Sequence, residues 1–200
     1  MSQHMPIVFF DLETTGAAGE NQIVQIAATS NYKRFNVYIL PTCDFQPYVS
    51  NMTGLQKSGY NLYLNSAVVP TKSAQDAIAE FITFLRGFGS QVILAAHGGK
   101  TLDFPKIIEL VKKFNMMYDF SSVVYGFVDT LTLLQSKFGT QSGQKFSLLD
   151  LAVKYQVSDY HSGTAHDASK DAAVLEKIIC ERINLTKDEI LKNVITIQQF

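Results

Sequence analysis

Pro6-Ile7-Val8-Phe9-Phe10-Asp11-Leu12-Glu13-Thr14-Thr15-Gly16 joins an apolar run to a short acidic segment. A proline on one side and turn-forming residues on the other bound the run, which predicts a buried strand over 6–10. Asp11 and Glu13 directly continue it. A strand repeats every two residues, so both carboxylates face one way, about 6 to 7 Å apart along the chain. Two like charges just beyond a hydrophobic strand raise each other's pKa and cost stability unless a cation sits between them. Oxygen ligands of this kind suit Mg²⁺ or Mn²⁺ and not zinc.

Working outward, Ile23 to Ala28 (IVQIAA) and Phe35 to Leu40 (FNVYIL) read as two further strands. Turn-rich spacers, Gly16 to Asn21 and Ser30 to Lys33, complete a three-stranded meander. From Ser73 the period changes: Ala74, Ile78, Phe81, Ile82 and Leu85 recur at helical spacing, and Gly87 with Gly89 stops the helix. Gln91 to Ala96 is the next buried strand, followed by His97-Gly98-Gly99 and a helix with Pro105 in its first turn. Phe127 to Leu131 reads as a short strand and Phe146 to Tyr155 as a helix with Ser147 a candidate cap. A last helix is expected from near Asp167, carrying Ala172, Leu175, Ile179 and Arg182. Strands come first as a run and then alternate with helices. That order predicts an α/β architecture, a mixed central sheet of about five strands flanked by helices.

The 200 residues suit one domain, expected to span 1–200 with its core over 6–185. Residues 1–5, with a second methionine at Met5, read as a tag or an unstructured start. A hydrophobic fraction of 46% with 18% charged and 12% aromatic residues excludes extended disorder and coiled-coil classes. Cys43 and Cys180 have no metal-ligand spacing and cannot form a disulfide framework, which fits a reducing compartment. No apolar stretch is long enough to span a membrane and no secretory leader is visible, so an intracellular, nuclear or cytoplasmic, non-secreted protein is expected. A formal net charge of -1 argues against broad clamping of duplex nucleic acid, so any nucleic-acid contact is local.

The string Phe9 to Gly16 resembles the first motif of the DEDD superfamily of 3′→5′ exonucleases. Ala96 to Pro105 resembles the second motif, in which a strand ends in His, a turn follows and an Asp opens the next helix. His166-Asp167-Ala168-Ser169-Lys170-Asp171 resembles the third motif of the DEDDh subclass, with its H-x4-D spacing. His161 does not fit, since five residues on it meets His166. Residues five apart on a helix differ by about 140° in direction, so His166 and Asp171 cannot both be helical and face one pocket. Asp167 as N-cap would place His166 on the preceding loop and Asp171 in the first turn. Within the superfamily the chain looks most like the Trex-like exonucleases and the related exonuclease-like domain of the promyelocytic leukaemia protein, through Phe35–Pro41, Met52–Leu55, His97–Pro105 and Gly126–Leu131. It departs from them at Gly98, where Asn is common, and at Leu102, where an aromatic residue often precedes the Asp.

The resemblance implies an RNase H-like (DnaQ-like) three-layer fold and a metal-dependent 3′→5′ exonuclease acting on single-stranded DNA ends and releasing nucleoside 5′-monophosphates. Its alternatives are an RNA exonuclease of the same subclass and a non-catalytic nucleic-acid-binding module. It implies two Mg²⁺ ions, with Mn²⁺ able to substitute, held by Asp11, Glu13, Asp171 and, through water, Asp103, with His166 as general base. Thr14, Thr15, Leu55 and His97 are the expected substrate contacts: the backbone around Thr14 and Thr15 for the 3′-hydroxyl, and Leu55 as an apolar wedge against the last base. Phe35 to Leu40 is expected at a sheet edge, where pairing with a copy of itself would give a homodimer as in Trex-like relatives.

Overall fold

The structure is a computed structural model and describes residues 5–16, 21–139, 145–157 and 166–200. Residues 1–4 and His161 lie outside the described residues. The first strand, β1 (Ile7–Thr14), is longer than the apolar run, so Asp11 and Glu13 are strand residues and do not follow the strand. β1 turns back into β2 (Ile23–Ser30), and β2 into β3 (Lys33–Ile39), each pair antiparallel. After helix α1 (Pro47–Thr53), a separate three-stranded sheet forms from β4 (Leu55–Ser58), β5 (Asn61–Leu64) and β6 (Ala67–Val69). The two-residue β7 (Thr71–Lys72) then pairs with Tyr38 and Ile39 of β3.

Helix α2 (Ala74–Arg86) is capped by Ser73, whose side chain accepts from the Asp76 backbone N–H, and buries the predicted apolar stripe. It leads to β8 (Val92–Ala96), parallel to β1. Helices α3 (Asp103–Lys113) and α4 (Met117–Val123) precede β9 (Val124–Asp129), parallel to β8. The strand expected over 127–131 therefore begins earlier and ends at Asp129; Thr130 and Leu131 open helix α5 (Thr130–Phe138), because the Asp129 side chain caps it. Helix α6 (Leu148–Lys154) is capped by Ser147 as its sequence predicts.

Helix α7 (Ala168–Glu176) runs on into a π-helical turn over Lys177–Arg182. It is not the last helix: α8 (Lys187–Leu191) and the short β10 (Ile195–Thr196) follow. Gly126 permits β10 to lie against β9, since a Cβ there would strike the Ile195 carbonyl. The main sheet has the order β10-β9-β8-β1-β2-β3-β7, the five expected long strands plus a two-residue strand at each edge. β3 is thus second from the edge, covered by β7 at Tyr38 and Ile39 but not over Lys33–Val37.

Alternation along β1 sorts its side chains between two layers. Val8, Phe10 and Leu12 pack with α2, α3 and α4 on one face of the sheet. Phe9 packs on the other face with Ile93, Ala95, Val128 and residues of α5, α6 and α7. Asp11 and Glu13 share the parity of Phe9 and so face the α7 layer. The β1–β8 ladder closes at Phe9 paired with Ala95, so beyond that point a crevice opens at the carboxyl ends of the two parallel strands.

Candidate metal and nucleic-acid site

Three elements, β1, α3 and α7, deliver four acidic residues to this crevice. Glu13 comes from the end of β1 and is 9% exposed, while Asp11, half-buried, stands two residues earlier on the same face. Asp103 opens α3, is 5% exposed, and its Oδ1 accepts from the Leu12 backbone N–H at 3.1 Å, on the side of β1 that β8 no longer covers. Asp171 lies in the first turn of α7 and is 8% exposed. His166 is not helical: its φ of 68° puts it in the left-handed region immediately before the cap. Asp167 is the N-cap and accepts from the Ser169 N–H at 3.0 Å, as the motif spacing predicts. Glu13, His166 and Asp171 each present a ligand atom, and these atoms all lie within 4.8 Å of one another.

Gln25 fixes the start of α7 against the sheet. It is buried on β2, its amide donates to Asp167 Oδ1 (3.2 Å) and Asn36 Oδ1 (2.9 Å), and its Oε1 accepts from the Ala168 N–H (3.3 Å). The sequence reading missed it because Gln25 sits inside an otherwise apolar strand and reveals its role only through α7.

Enclosure and mutual repulsion keep Asp11, Glu13 and Asp103 protonated to unusual pH. Burial, then the charges of Asp103, Glu13, Asp171 and Asp167, holds Asp11 well above the usual carboxylate range. Burial first, and then Asp171, Asp103 and Asp167, pushes Glu13 up to about 8. Burial takes Asp103 to about 7, against the opposing hydrogen bonds from its own and the Leu12 backbone. Partial burial lowers the His166 pKa, so its imidazole is neutral near pH 7. Among the described residues, none of the ion pairs takes in Asp11, Glu13 or Asp103. A crowded carboxylate set with an imidazole at its rim is the donor chemistry that hard divalent cations take.

Residues 5–154 match the family model described as the Exuperantia RNAse H-like domain. The chain belongs to this family. Among its curated relatives, maternal protein exuperantia of Drosophila melanogaster is 23% identical over 159 residues, covering 73% of this chain and 30% of that protein. Maternal protein exuperantia of Drosophila virilis is 22% identical over 196 residues, covering 92% of this chain and 40% of that protein. This Exuperantia-type chain thus spans well under half the length of the relatives it matches. Among solved structures, E. coli exonuclease I in complex with a dT13 oligonucleotide superposes with a TM-score of 0.66 at 15% identity, over 89% of this chain and 41% of that one. The zinc-bound E. coli ExoI–ssDNA complex gives 0.65 at 14% identity, over 88% and 40%. The Exuperantia RNAse H-like domain therefore has the RNase H-like exonuclease fold, a mixed sheet flanked by helices.

The expected substrate contacts are placed less uniformly than the acids. Leu55 is 1% exposed and packs with Val24 and Leu62 between the two sheets, so it does not reach the crevice and cannot wedge a base. The apolar side chains exposed beside Glu13 and His166 are instead Tyr48 (46%) and Met52 (48%) of α1, which line a cleft of about 110 Å³ with Leu102. Tyr48 was not singled out in the sequence, although a Pro-initiated helix just before Gly54 was the available signal.

His97 is also committed internally. Its Nε2 lies 2.6 Å from the Phe146 carbonyl and its Nδ1 3.0 Å from the Thr130 hydroxyl. A carbonyl only accepts, so Nε2 carries the proton in this contact. With both nitrogens engaged, His97 braces the loop before α6 and does not grip substrate. The Thr14 hydroxyl donates to Gly16 O (2.8 Å), and the Thr15 hydroxyl accepts from the Gln22 N–H (3.0 Å). The Thr15 backbone is engaged as well, its N–H donating to the Gln22 carbonyl (2.9 Å) and its carbonyl accepting from the Gln46 N–H (2.8 Å). The sequence reading also missed Asp129, whose carboxylate collects the N–H groups of Gly98, Lys100, Leu131 and Thr132 and so shapes the turn that leads to Asp103.

Proposed function

We propose that this domain is a metal-dependent 3′→5′ exonuclease that removes nucleoside 5′-monophosphates from single-stranded DNA ends, using a pair of Mg²⁺ ions for which Mn²⁺ substitutes. The observation that carries the reading is the convergence of Glu13, His166 and Asp171 within 4.8 Å, beside Asp11 and Asp103. Asp11, Glu13 and Asp171 would hold the ions, with Asp103 as a partner through water. Bound divalent ions in such a site neutralise the charge that develops on the entering and leaving oxygens of an in-line phosphoryl displacement.

The chain's own part is orientation and proton transfer. The neutral His166 imidazole accepts a proton from the attacking water as the new P–O bond forms, and the bond from phosphorus to the 3′-oxygen of the preceding nucleotide breaks. That oxygen leaves as the new 3′-hydroxyl, taking its proton from solvent. The positive φ of His166 holds the ring off the helix and over the carboxylates. The backbone of Glu13 to Thr15 is the proposed seat of the substrate's 3′-hydroxyl. Tyr48 and Met52 supply a stacking surface that tolerates any base.

The likeness of motifs to the Trex-like enzymes supports DNA over RNA, and solved neighbours that hold single-stranded DNA support an unpaired substrate. The two cysteines are not joined in a disulfide, in keeping with a proposed intracellular setting; among the described residues no helix is long and apolar enough to cross a membrane. A proposed homodimer would pair through Lys33–Val37, the part of β3 that β7 leaves uncovered. Incubating 3′-labelled and 5′-labelled DNA and RNA oligonucleotides with Mg²⁺ tests the function. Stepwise shortening of DNA from the 3′ end is expected. Faster shortening of RNA would reassign the substrate, and binding without shortening would make the domain a nucleic-acid-binding module.

A further inference from the structure

We infer that Gln25, on β2, is a positioning residue of the acidic site: through the cap Asp167 it sets where His166 and Asp171 stand relative to Glu13. Its neighbours Val24, Ile26 and Ala27 are apolar and fully buried, and Gln25 itself is 1% exposed. Burying an amide costs free energy unless its hydrogen bonds are made inside the fold, so its partners define what it holds.

Those partners lie on two different elements. The two N–H groups of Nε2 donate to Asp167 Oδ1 at the start of α7 and to Asn36 Oδ1 on β3, and Oε1 accepts from the Ala168 N–H. The amide cannot be turned over, because that would set its oxygen against the Asp167 carboxylate and its nitrogen against the Ala168 N–H. Gln25 also stands directly across the β1–β2 ladder from Glu13, on the face that α7 covers. One side chain thus ties the strands that carry Glu13 to the turn that carries His166 and to the helix that carries Asp171. Asp167 is held from both sides, by the Ser169 N–H of its own helix and by Gln25 of the sheet. The cap bond fixes Asp167 to α7, and the bond to Gln25 fixes it to the sheet.

The far end of α7 supplies the comparison. Glu176, its last residue, accepts from the Thr29 hydroxyl (2.7 Å) and the Asn31 N–H, and pairs with Arg34 (3.5 Å). Thr29 is as buried as Gln25 and lies on the same strand, so it fastens the same helix to the same sheet, but at the end away from the acids. If α7 only needed attaching, the two fastenings would be equivalent; if its start must be aimed, Gln25 matters to the site and Thr29 does not.

The inference rests on the exonuclease reading for its kinetic consequence and not for its geometry. Gln25→Met keeps the length of the side chain and removes its hydrogen bonds, and Thr29→Val keeps the shape and removes the bond to Glu176. With Mg²⁺ and 3′-labelled DNA, Gln25→Met should lower kcat by about 10- to 100-fold with KM within about twofold, as when a group that orients reacting side chains is lost. Asn36→Ala, an exposed change that withdraws one partner of Gln25, should lower kcat severalfold with the thermal melt unchanged, so the test does not depend on Gln25→Met folding. Thr29→Val should lower Tm and leave kcat unchanged. Amide hydrogen exchange of the metal-free chain, followed by NMR, needs no activity. The Ser169 N–H, which bonds Asp167 and not Gln25, should exchange about tenfold faster in Gln25→Met than in the wild type, and at the wild-type rate in Thr29→Val. Wild-type kcat with wild-type Ser169 exchange in Gln25→Met would overturn the role, and so would equal losses of kcat in Gln25→Met and Thr29→Val. An inactive wild-type chain would remove the exonuclease reading, and the Ser169 comparison would then decide the positioning by itself.

Discussion

The carboxylate of Glu13, at the end of the first strand, and that of Asp171, in the first turn of α7, present oxygens within 4.8 Å of each other in a largely enclosed crevice. Without a cation this arrangement is costly, and the cost depends on pH. Glu13 titrates near 8 and Asp103 near 7 in the folded chain, above their ordinary values of 4.5 and 3.8. Between the unfolded and folded pKa values the folded state holds more protons than the unfolded one, so stability falls as pH rises through that window. In chelator, Tm should drop between about pH 5 and about pH 8.5, and Mg²⁺ should flatten the decline by binding the folded state. Asp11→Asn should reduce both effects. Scanning calorimetry at several pH values checks this, and a Tm that rises with pH in chelator would contradict it.

His166→Ala is expected to lower turnover by about 10² to 10⁴ while sparing metal-induced stabilisation and oligonucleotide binding. The residue is exposed and outside the helix, so its removal leaves the packing intact. Single-turnover kinetics beside a thermal melt separate the two roles; near-normal turnover would remove His166 as base.

Leu55 and the α1 residues should part company. Leu55→Ala empties a fully buried position and should cost about 2–5 kcal/mol in denaturant unfolding. Tyr48→Ala should leave stability within about 0.5 kcal/mol and raise KM for oligonucleotides severalfold, with kcat changed less. The reverse pattern would restore Leu55 as the wedge.

Asp129→Ala removes the α5 cap and leaves the Gly98 and Lys100 N–H groups without their acceptor, a loss of about 1–2 kcal/mol or more. Asp129→Asn, which keeps one acceptor oxygen, should recover part of it. Urea titrations of the two variants measure the difference.

The acidic site was readable because two local rules applied. Alternation through Phe9, Asp11 and Glu13 set their common face, and the spacing of His166 to Asp171 required a cap at Asp167 that keeps His166 off the helix. What escaped the sequence depends on partners far along the chain. Leu55 looks like any residue after a helix-ending Gly54, and only the packing of the small sheet on Val24 buries it. Asp129 follows an apolar strand and reads as its continuation until the Gly98 turn is seen to supply donors. The strands of the small sheet, LQKS, NLYL and AVV, are too short and too mixed to carry a period. His97 carried a substrate role by likeness of motif, and two internal hydrogen bonds reassign it to structure.

The most direct test of the acidic site is a crystal soaked in Mn²⁺ and measured at the manganese absorption edge. Anomalous density in contact with Asp11, Glu13 and Asp171 is the predicted result, lost in Asp11→Asn crystals. A map of the wild-type chain with these three carboxylates well ordered and no anomalous density between them would contradict the account.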